Sequence, residues 1–168
     1  MRSIFWVLFF FLNVTIAWAA IPSKPLYESG YVAGGEAYSG VTLRTMKKIE
    51  LSDSQVERFA LEFGDRQGKP LVGKPGYFHV ELKNKPKPVL IINVAKVVGT
   101  QIDKKNLEKT IRNSKFLTHP DIYQNADDGS QSYVFDLKSK PEVRVYQVSS
   151  KKGSSQMVID VSARIKKK

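Results

Sequence analysis

The chain has 168 residues, with 27 Lys and Arg against 16 Asp and Glu, a formal net charge of +11 and no cysteine. Without cysteine it can form no disulfide, thiolate zinc site, iron–sulfur cluster or cysteine nucleophile, and its 2 histidines are too few for a multi-histidine metal centre. The length accommodates one ordinary domain, so we expect a small, basic, non-catalytic module that needs no cofactor and no metal.

Residues 1–19 are predicted to be a secretory signal peptide. One positive charge, Arg2, precedes an unbroken apolar run at 4–12, and the small residues Ala17 and Ala19 stand where a signal peptidase cleaves. An uncleaved anchor helix is the alternative, although polar residues interrupt the apolar stretch before it reaches the roughly 20 residues of a spanning helix. An exported chain without cysteine is typical of the Gram-negative periplasm. We therefore expect the mature protein there, with no transmembrane span after cleavage.

Residues 20–40 are predicted to be a flexible lead-in. Gly, Pro, Ser and Tyr are abundant in this segment, and its apolar residues follow no period. Docking of Tyr27, Tyr31 or Tyr38 on the domain is the alternative, but the composition favours an extended linker. The folded domain is therefore expected to occupy residues 41–165.

Beyond residue 40 the hydrophobic pattern is that of short strands separated by turns. One segment, 103–116, has helical spacing with Asp103 in the N-cap position, and a loop leading into a short strand at 114–117 is its alternative. The stretch 118–131 is polar and contains a turn signal. We predict strands at 41–51, 59–63, 77–82, 89–98, 132–137, 142–149 and 156–165.

These elements predict an all-β chain, or a mostly β chain with one short helix. Strands with turn signals every eight to twelve residues are typical of a sandwich or a barrel, and we expect a small β-sandwich of two sheets. The alternation also predicts which side chains face the core. In the first strand Val41, Leu43, Thr45 and Lys47 share one side, and in the last strand the odd-numbered residues from Met157 onward point inward.

Two short segments contain residues that could act in acid–base chemistry. His79 and Glu81 are two residues apart and so share one side of a strand, but no nucleophile or third partner accompanies them. Alternation with the apolar residues between them explains both as an exposed polar face. His119 lies in the polar stretch, and the aspartates near it match no calcium-binding loop. The sequence therefore predicts no enzyme.

The basic excess is the stronger signal. Lysines alternate at one strand end, further lysines lie in the loops that flank the last strands, and the chain ends in a basic run. Because the loops of a sandwich gather at its ends, we expect these charges to form one rim that attracts anions, and a solvated surface that keeps the protein soluble is the alternative. The candidate anion-binding residues are Arg44, Lys83, Lys85, Lys87, Arg144, Lys151, Lys152 and Arg164.

The strand pattern resembles the AMIN domain, a periplasmic β-domain of N-acetylmuramoyl-alanine amidases and type IV pilus secretins. Residues 58–63 (RFALEF), 74–82 (KPGYFHVEL) and 132–137 (SYVFDL) are similar to characteristic strands of that family, and 142–146 and 157–161 are similar to its closing strands. The Arg-x-Gly turn that follows the family's middle strand is missing. The resemblance implies a sandwich of two small sheets that binds cell-wall material or an envelope partner, without amidase activity of its own.

Together these observations predict a non-catalytic envelope-binding module. Peptidoglycan stem peptides carry carboxylates and other envelope components carry phosphates, so a basic surface is attracted to them, and arginines at Arg44, Arg144 and Arg164 would suit carboxylates. A pilus or secretion machine is a further expected partner. Nucleic acid is not, because the basic residues do not alternate with aromatic stacking platforms. The alternative function is a periplasmic chaperone or assembly factor that pairs a strand edge with a client.

Overall fold

The computed structural model describes residues 21–22 and 29–163, so the predicted signal peptide (1–19) and Arg164 lie outside the described residues. In chain order the described elements are β1 (Ile21–Pro22), β2 (Gly30–Gly34), β3 (Val41–Ile49), β4 (Val56–Gly64), β5 (Phe78–Lys83), β6 (Val89–Val94), β7 (Val97–Thr100), α1 (Lys104–Ile111), β8 (Leu117–Gln124), β9 (Gln131–Leu137), β10 (Glu142–Val148) and β11 (Gln156–Ser162).

The strands form two sheets. Sheet A has six strands in the order β1-β10-β11-β4-β3-β7, and sheet B has five in the order β2-β5-β6-β9-β8. Neighbouring strands are antiparallel except for the parallel pair β3 and β7. The chain is mostly β with one short helix, and its two sheets are not closed into a barrel, which confirms the predicted fold class.

The core lies between the inner faces of the two sheets. Phe59, Phe63, Phe78 and Phe135 are almost fully buried there, and each such burial stabilises the fold by about 1.5–3 kcal/mol. Tyr133 is also buried, and its hydroxyl lies 3.3 Å from Thr100 Oγ1, which satisfies the polar end of the ring. Burial raises the pKa of Tyr133 to about 12 because the phenolate would lose its water.

A β-bulge in β3 makes the predicted side-chain parity wrong beyond Leu43. Leu43 pairs with Phe63 and Thr45 with Glu62, so Arg44 is the extra residue between two consecutive pairs. The side chains after the bulge therefore change face: Met46 is buried in the core, and Lys47 is exposed and bonded to Glu62. A regular alternation from the first strand residue cannot reveal such an insertion.

The predicted strand 89–98 is two strands in two different sheets. β6 ends at Val94 in sheet B, Lys96 adopts a positive φ of 55°, and β7 begins at Val97 in sheet A. The apolar run stays continuous because both pieces contribute to the same core. The change of sheet at Lys96 is the feature that the composition does not indicate.

Two segments for which no strand was predicted form the edge strands of sheet B. Residues 30–34 of the predicted lead-in pair with β5, and residues 117–124, predicted mainly as a polar loop, pair with β9. An edge strand exposes one side and one edge to water, so a polar or glycine-rich composition is tolerated there. The polar composition of residues 118–124 therefore led to the prediction of a loop where the structure has a strand.

The segment 103–116 contains a helix, not the alternative loop. Asp103 caps it by accepting a hydrogen bond from Asn106 N, and Leu107 and Ile111 bury its apolar side. The helix contacts β3 of sheet A and β8 of sheet B. It therefore bridges the two sheets on the side of the sandwich where these two strands lie.

A buried glutamate joins α1 and β8 to sheet A. Glu57 is only 4% exposed, and its carboxylate accepts hydrogen bonds from Lys48 Nζ at 2.7 Å, Ser114 Oγ at 2.5 Å and Lys115 N at 3.0 Å. Ser114 Oγ in turn accepts bonds from the backbone N–H groups of Phe116 and Leu117. Burial raises the pKa of Glu57, but the hydrogen bonds from Lys48, Ser114 and Lys115 outweigh it, and the pKa lies below its ordinary value.

We expect Glu57→Gln to lower the free energy of unfolding by about 2 kcal/mol, because it removes the charge that Lys48 and Ser114 satisfy. Glu62→Gln, which breaks the exposed pair with Lys47, is the matched control and should cost less than about 0.5 kcal/mol. Urea denaturation measures both. Equal losses of unfolding free energy in the two variants would show that the buried network stabilises the fold no more than an exposed ion pair does.

The stabilisation by Glu57 should also depend on pH. A carboxyl whose pKa is lowered by folding stabilises the protein fully above its unfolded pKa, and that contribution is lost as the pH falls through the folded pKa. The difference in unfolding free energy between the parent protein and Glu57→Gln should therefore shrink below about pH 4.3. Denaturation at a series of pH values measures it. A constant difference down to about pH 3 would contradict the assignment.

Candidate functional site

The structure divides the predicted anion-binding residues between two ends of the sandwich. Lys83, Lys85 and Lys87 lie at the β5–β6 connection, whereas Lys151 and Lys152 lie in the β10–β11 connection. The start of β6 faces the end of β9, which places the β5–β6 connection at the end where β10 begins. Lys151 and Lys152 follow β10 and therefore lie at the other end of that strand. The prediction of one rim is therefore wrong.

One of these ends, here called the basic end, collects four connections. Leu137 N bonds to Pro88 O at 3.0 Å, which joins the ends of β9 and of the β5–β6 loop. Lys138 N bonds to Phe116 O at 2.9 Å, and Lys115 Nζ reaches Ser54 O at 2.6 Å in the β3–β4 connection. Segments distant in the sequence thus form one continuous surface.

Cations outnumber carboxylates at the basic end. Its exposed cations are Lys83, Lys85, Lys87, Arg112, Lys115, Lys138 and Lys140. Two of them have carboxylate partners: Lys83 lies 3.1 Å from Glu81, and Lys87 lies 2.9 Å from Asp136. In the described part of the chain, the others form no ion pair. Their charges are therefore available to an anionic partner.

The remaining predicted residues lie elsewhere. Arg44 donates to Ser154 Oγ at 2.5 Å and so belongs to the opposite end, with Lys151 and Lys152. Arg144 lies on the outer face of sheet A, where Glu142 holds its guanidinium and raises its pKa. Arg164 is outside the described residues.

The His79 and Glu81 pair lies on the outer face of sheet B. The ring of His79 meets Tyr31 edge to face at a centroid distance of 5.1 Å, and the residues opposite it on the adjacent strands are Ala33 and Asn93. Glu81 is paired with Lys83. These contacts are those of an outer sheet face, and among the described residues they bring no nucleophile next to the imidazole.

A groove of about 440 Å³ lies between α1 and β8 and opens at the basic end. Ile111, Leu117 and Pro120 form its apolar part, and Arg112 and Lys138 line it at the basic end. Within residues 21–22 and 29–163, no three His, Asp or Glu side chains are placed to hold a metal ion, and no helix is long and apolar enough to span a membrane.

The fold and its charges define a two-sheet β-sandwich with exposed cations at both ends, seven of which lie at the basic end. The chain matches no known protein-family profile, and no curated protein sequence is significantly similar to it. The resemblance to the AMIN domain therefore stays a prediction that depends on strand pattern.

The prediction from the strand pattern did not include the candidate site residues around the end of α1. Arg112 and Lys115 lie between the helix and β8, and Lys115 is drawn to the basic end by its bonds to Glu57 and Ser54. In the sequence, these two basic residues after a helical segment were the signal that could have identified them. The sequence does not show at which end of the sandwich they lie, because that depends on how the chain crosses between the sheets.

We expect Asp136→Asn to strengthen anion binding at the basic end, because it releases Lys87 from its only carboxylate partner in the described residues. Asp127→Asn, an equal change of charge in the β8–β9 loop at the opposite end, is the control. Salt elution from an immobilised sulfated polysaccharide measures the effect: Asp136→Asn should elute at higher salt than Asp127→Asn. Identical elution would contradict a role for this end.

Proposed function

We propose that this protein is a non-catalytic, exported module that binds peptidoglycan through its basic end. The observation that carries the proposal is the convergence of Lys85, Lys87, Arg112, Lys138 and Lys140 on one surface, where Lys87 is the one of these five that a carboxylate of the described residues holds. Stem peptides of peptidoglycan present repeated carboxylates. A surface of exposed, flexible cations suits such a polymer better than it suits a single small molecule.

The mechanism is electrostatic attraction followed by many weak contacts. Each exposed lysine contributes about 0.2–1 kcal/mol to an ion pair in water, so useful affinity requires several at once. Such contacts are screened within about 8 Å at physiological ionic strength, and binding should therefore weaken as salt rises. Targeting or scaffolding at the cell wall follows from this kind of binding, as does docking beside a pilus or secretion machine in the envelope.

The predicted signal peptide and the AMIN-like strand pattern support the same proposal. Export to the periplasm would place the basic end next to the wall. The resemblance contributes the expectation of wall binding, and the fold class is compatible with it.

The alternative, a chaperone that pairs a strand edge with a client, has less support from the edges themselves. β8 carries a bulge at His119 and a proline at position 120, and both features interrupt the ladder that an added strand would need. β7 has four residues and β2 has five. Short or interrupted edges are those that proteins use to avoid pairing.

The proposal is tested by pelleting the purified protein with isolated sacculi. Neutralising Lys85, Lys87 and Lys140 to Gln should remove about 1.5 kcal/mol of binding energy, a roughly tenfold higher Kd. The matched control neutralises Lys74, Lys151 and Lys152 at the opposite end, with the same change in net charge.

We expect the control variant to pellet like the parent protein, and both to be released by salt. Equal loss in the two variants would mean that net charge alone attracts the wall, without a site. Failure of the parent protein to pellet at low salt would contradict peptidoglycan as the partner.

A further inference from the structure

The groove between α1 and β8 has a charge pattern of its own. Near the start of α1, Lys104 bonds to Asp121 at 2.8 Å, and the charge of Glu108 also acts on Lys104. Near the end of α1 the groove is lined by Arg112 and Lys138, neither of which has a carboxylate partner among the described residues. The groove is therefore polarised, with its unpaired cations at the basic end.

The two cations retain donors for a ligand. Lys138 Nζ uses one of its three N–H groups on Ser114 O at 2.6 Å. Arg112 is exposed at the end of the helix, and a guanidinium can donate two parallel hydrogen bonds to one carboxylate. One carbonyl of this helix end, Ile111 O, is already occupied, because it accepts a hydrogen bond from Ser114 N at 2.8 Å. The negative end of the helix dipole opposes an anion there, and the two cations have to outweigh it.

A strained residue borders the same groove. His119 is the extra residue of the bulge in β8, has a positive φ of 44°, and keeps its side chain 79% exposed. Residues other than glycine rarely adopt this backbone conformation, and bulges often redirect a side chain beside a binding site. Here the bulge places the imidazole at the groove, 3.6 Å from Asp136.

We propose that this groove binds the C-terminal carboxylate of a short peptide whose last residue has a small apolar side chain. Arg112 and Lys138 would receive the carboxylate, and Ile111, Leu117 and Pro120 would contact the apolar side chain. A volume of about 440 Å³ is that of a small-molecule site and suits a dipeptide. The inference deepens the proposed function, since peptidoglycan stem peptides end in D-alanine, and a bare phosphate would leave the apolar lining without a contact.

The test is an NMR titration of the ¹⁵N-labelled protein with Nα-acetyl-D-alanyl-D-alanine and, separately, with its C-terminal amide. We expect the free acid to shift the amide signals of Arg112, Leu117, His119 and Lys138, and the amide form to bind about tenfold more weakly. Equal binding of acid and amide, or no shift with either, would overturn the proposal.

Substitution on one helical turn separates the groove from general charge. Arg112→Gln should weaken binding of the acid about tenfold. Lys109→Gln removes the same charge from the same turn. Lys109 is not among the residues that line this groove and instead lines a separate cavity between α1 and β3, so binding should not change. Equal weakening by both variants would show general attraction and no carboxylate site.

The outcomes distinguish this inference from the proposed function. If sacculi still pellet the protein while the dipeptide does not bind, the groove inference fails and peptidoglycan binding through the basic end stands. If the dipeptide binds in the groove but sacculi do not pellet the protein, the proposed function fails and the groove recognises carboxylates from another source.

Discussion

The structure depends on the packing of two inner sheet faces that leave almost no room for charge between them. Aromatic and aliphatic side chains such as Phe59, Val80 and Phe135 fill this space, and a charge placed among them would lose its water. Among the described residues, Glu57 is a charged side chain that is nevertheless buried at this interface. It is tolerated because Lys48, Ser114 and the backbone of Lys115 surround its carboxylate with donors. The same bonds hold the connection between α1 and β8 against sheet A.

Because the interior excludes charge, the basic residues must lie on outer faces or in the connections. The crossing of the chain between sheets then decides which connections meet. The β5–β6 loop, the segment after α1 and the β9–β10 loop are far apart in sequence, but hydrogen bonds through Leu137 and Lys138 place them side by side. The basic end is thus a product of topology, and the network around Glu57 fixes the position of two of its parts.

Much of the fold could be predicted from alternation alone. The strands around Phe59, Tyr133 and Ile159 and the helix after Asp103 follow from period and capping, since each depends on residues next to one another in sequence. The bulge at Arg44 and the change of sheet at Lys96 could not be predicted in this way. Each is a single-residue backbone event that leaves the hydrophobic pattern nearly unchanged.

The candidate site was predictable only in part, for the same reason. A cluster of lysines such as Lys83, Lys85 and Lys87 is visible in the sequence, and its charge is independent of the fold. The separation of Lys151 and Lys152 from them depends on the direction of β10, and the inclusion of Arg112 and Lys138 depends on packing between distant segments. Charge is a local property of the chain, whereas a charged surface is a property of its topology.

We propose that this sandwich meets the cell wall at one end. The most direct measurement is to map the backbone amides of the labelled protein that shift when soluble peptidoglycan fragments are added. We expect shifts confined to the β5–β6 loop, the end of α1 with the start of β8, and the β9–β10 loop. Shifts centred on the β10–β11 loop at the opposite end, or on the Tyr31 and His79 face of sheet B, would contradict it.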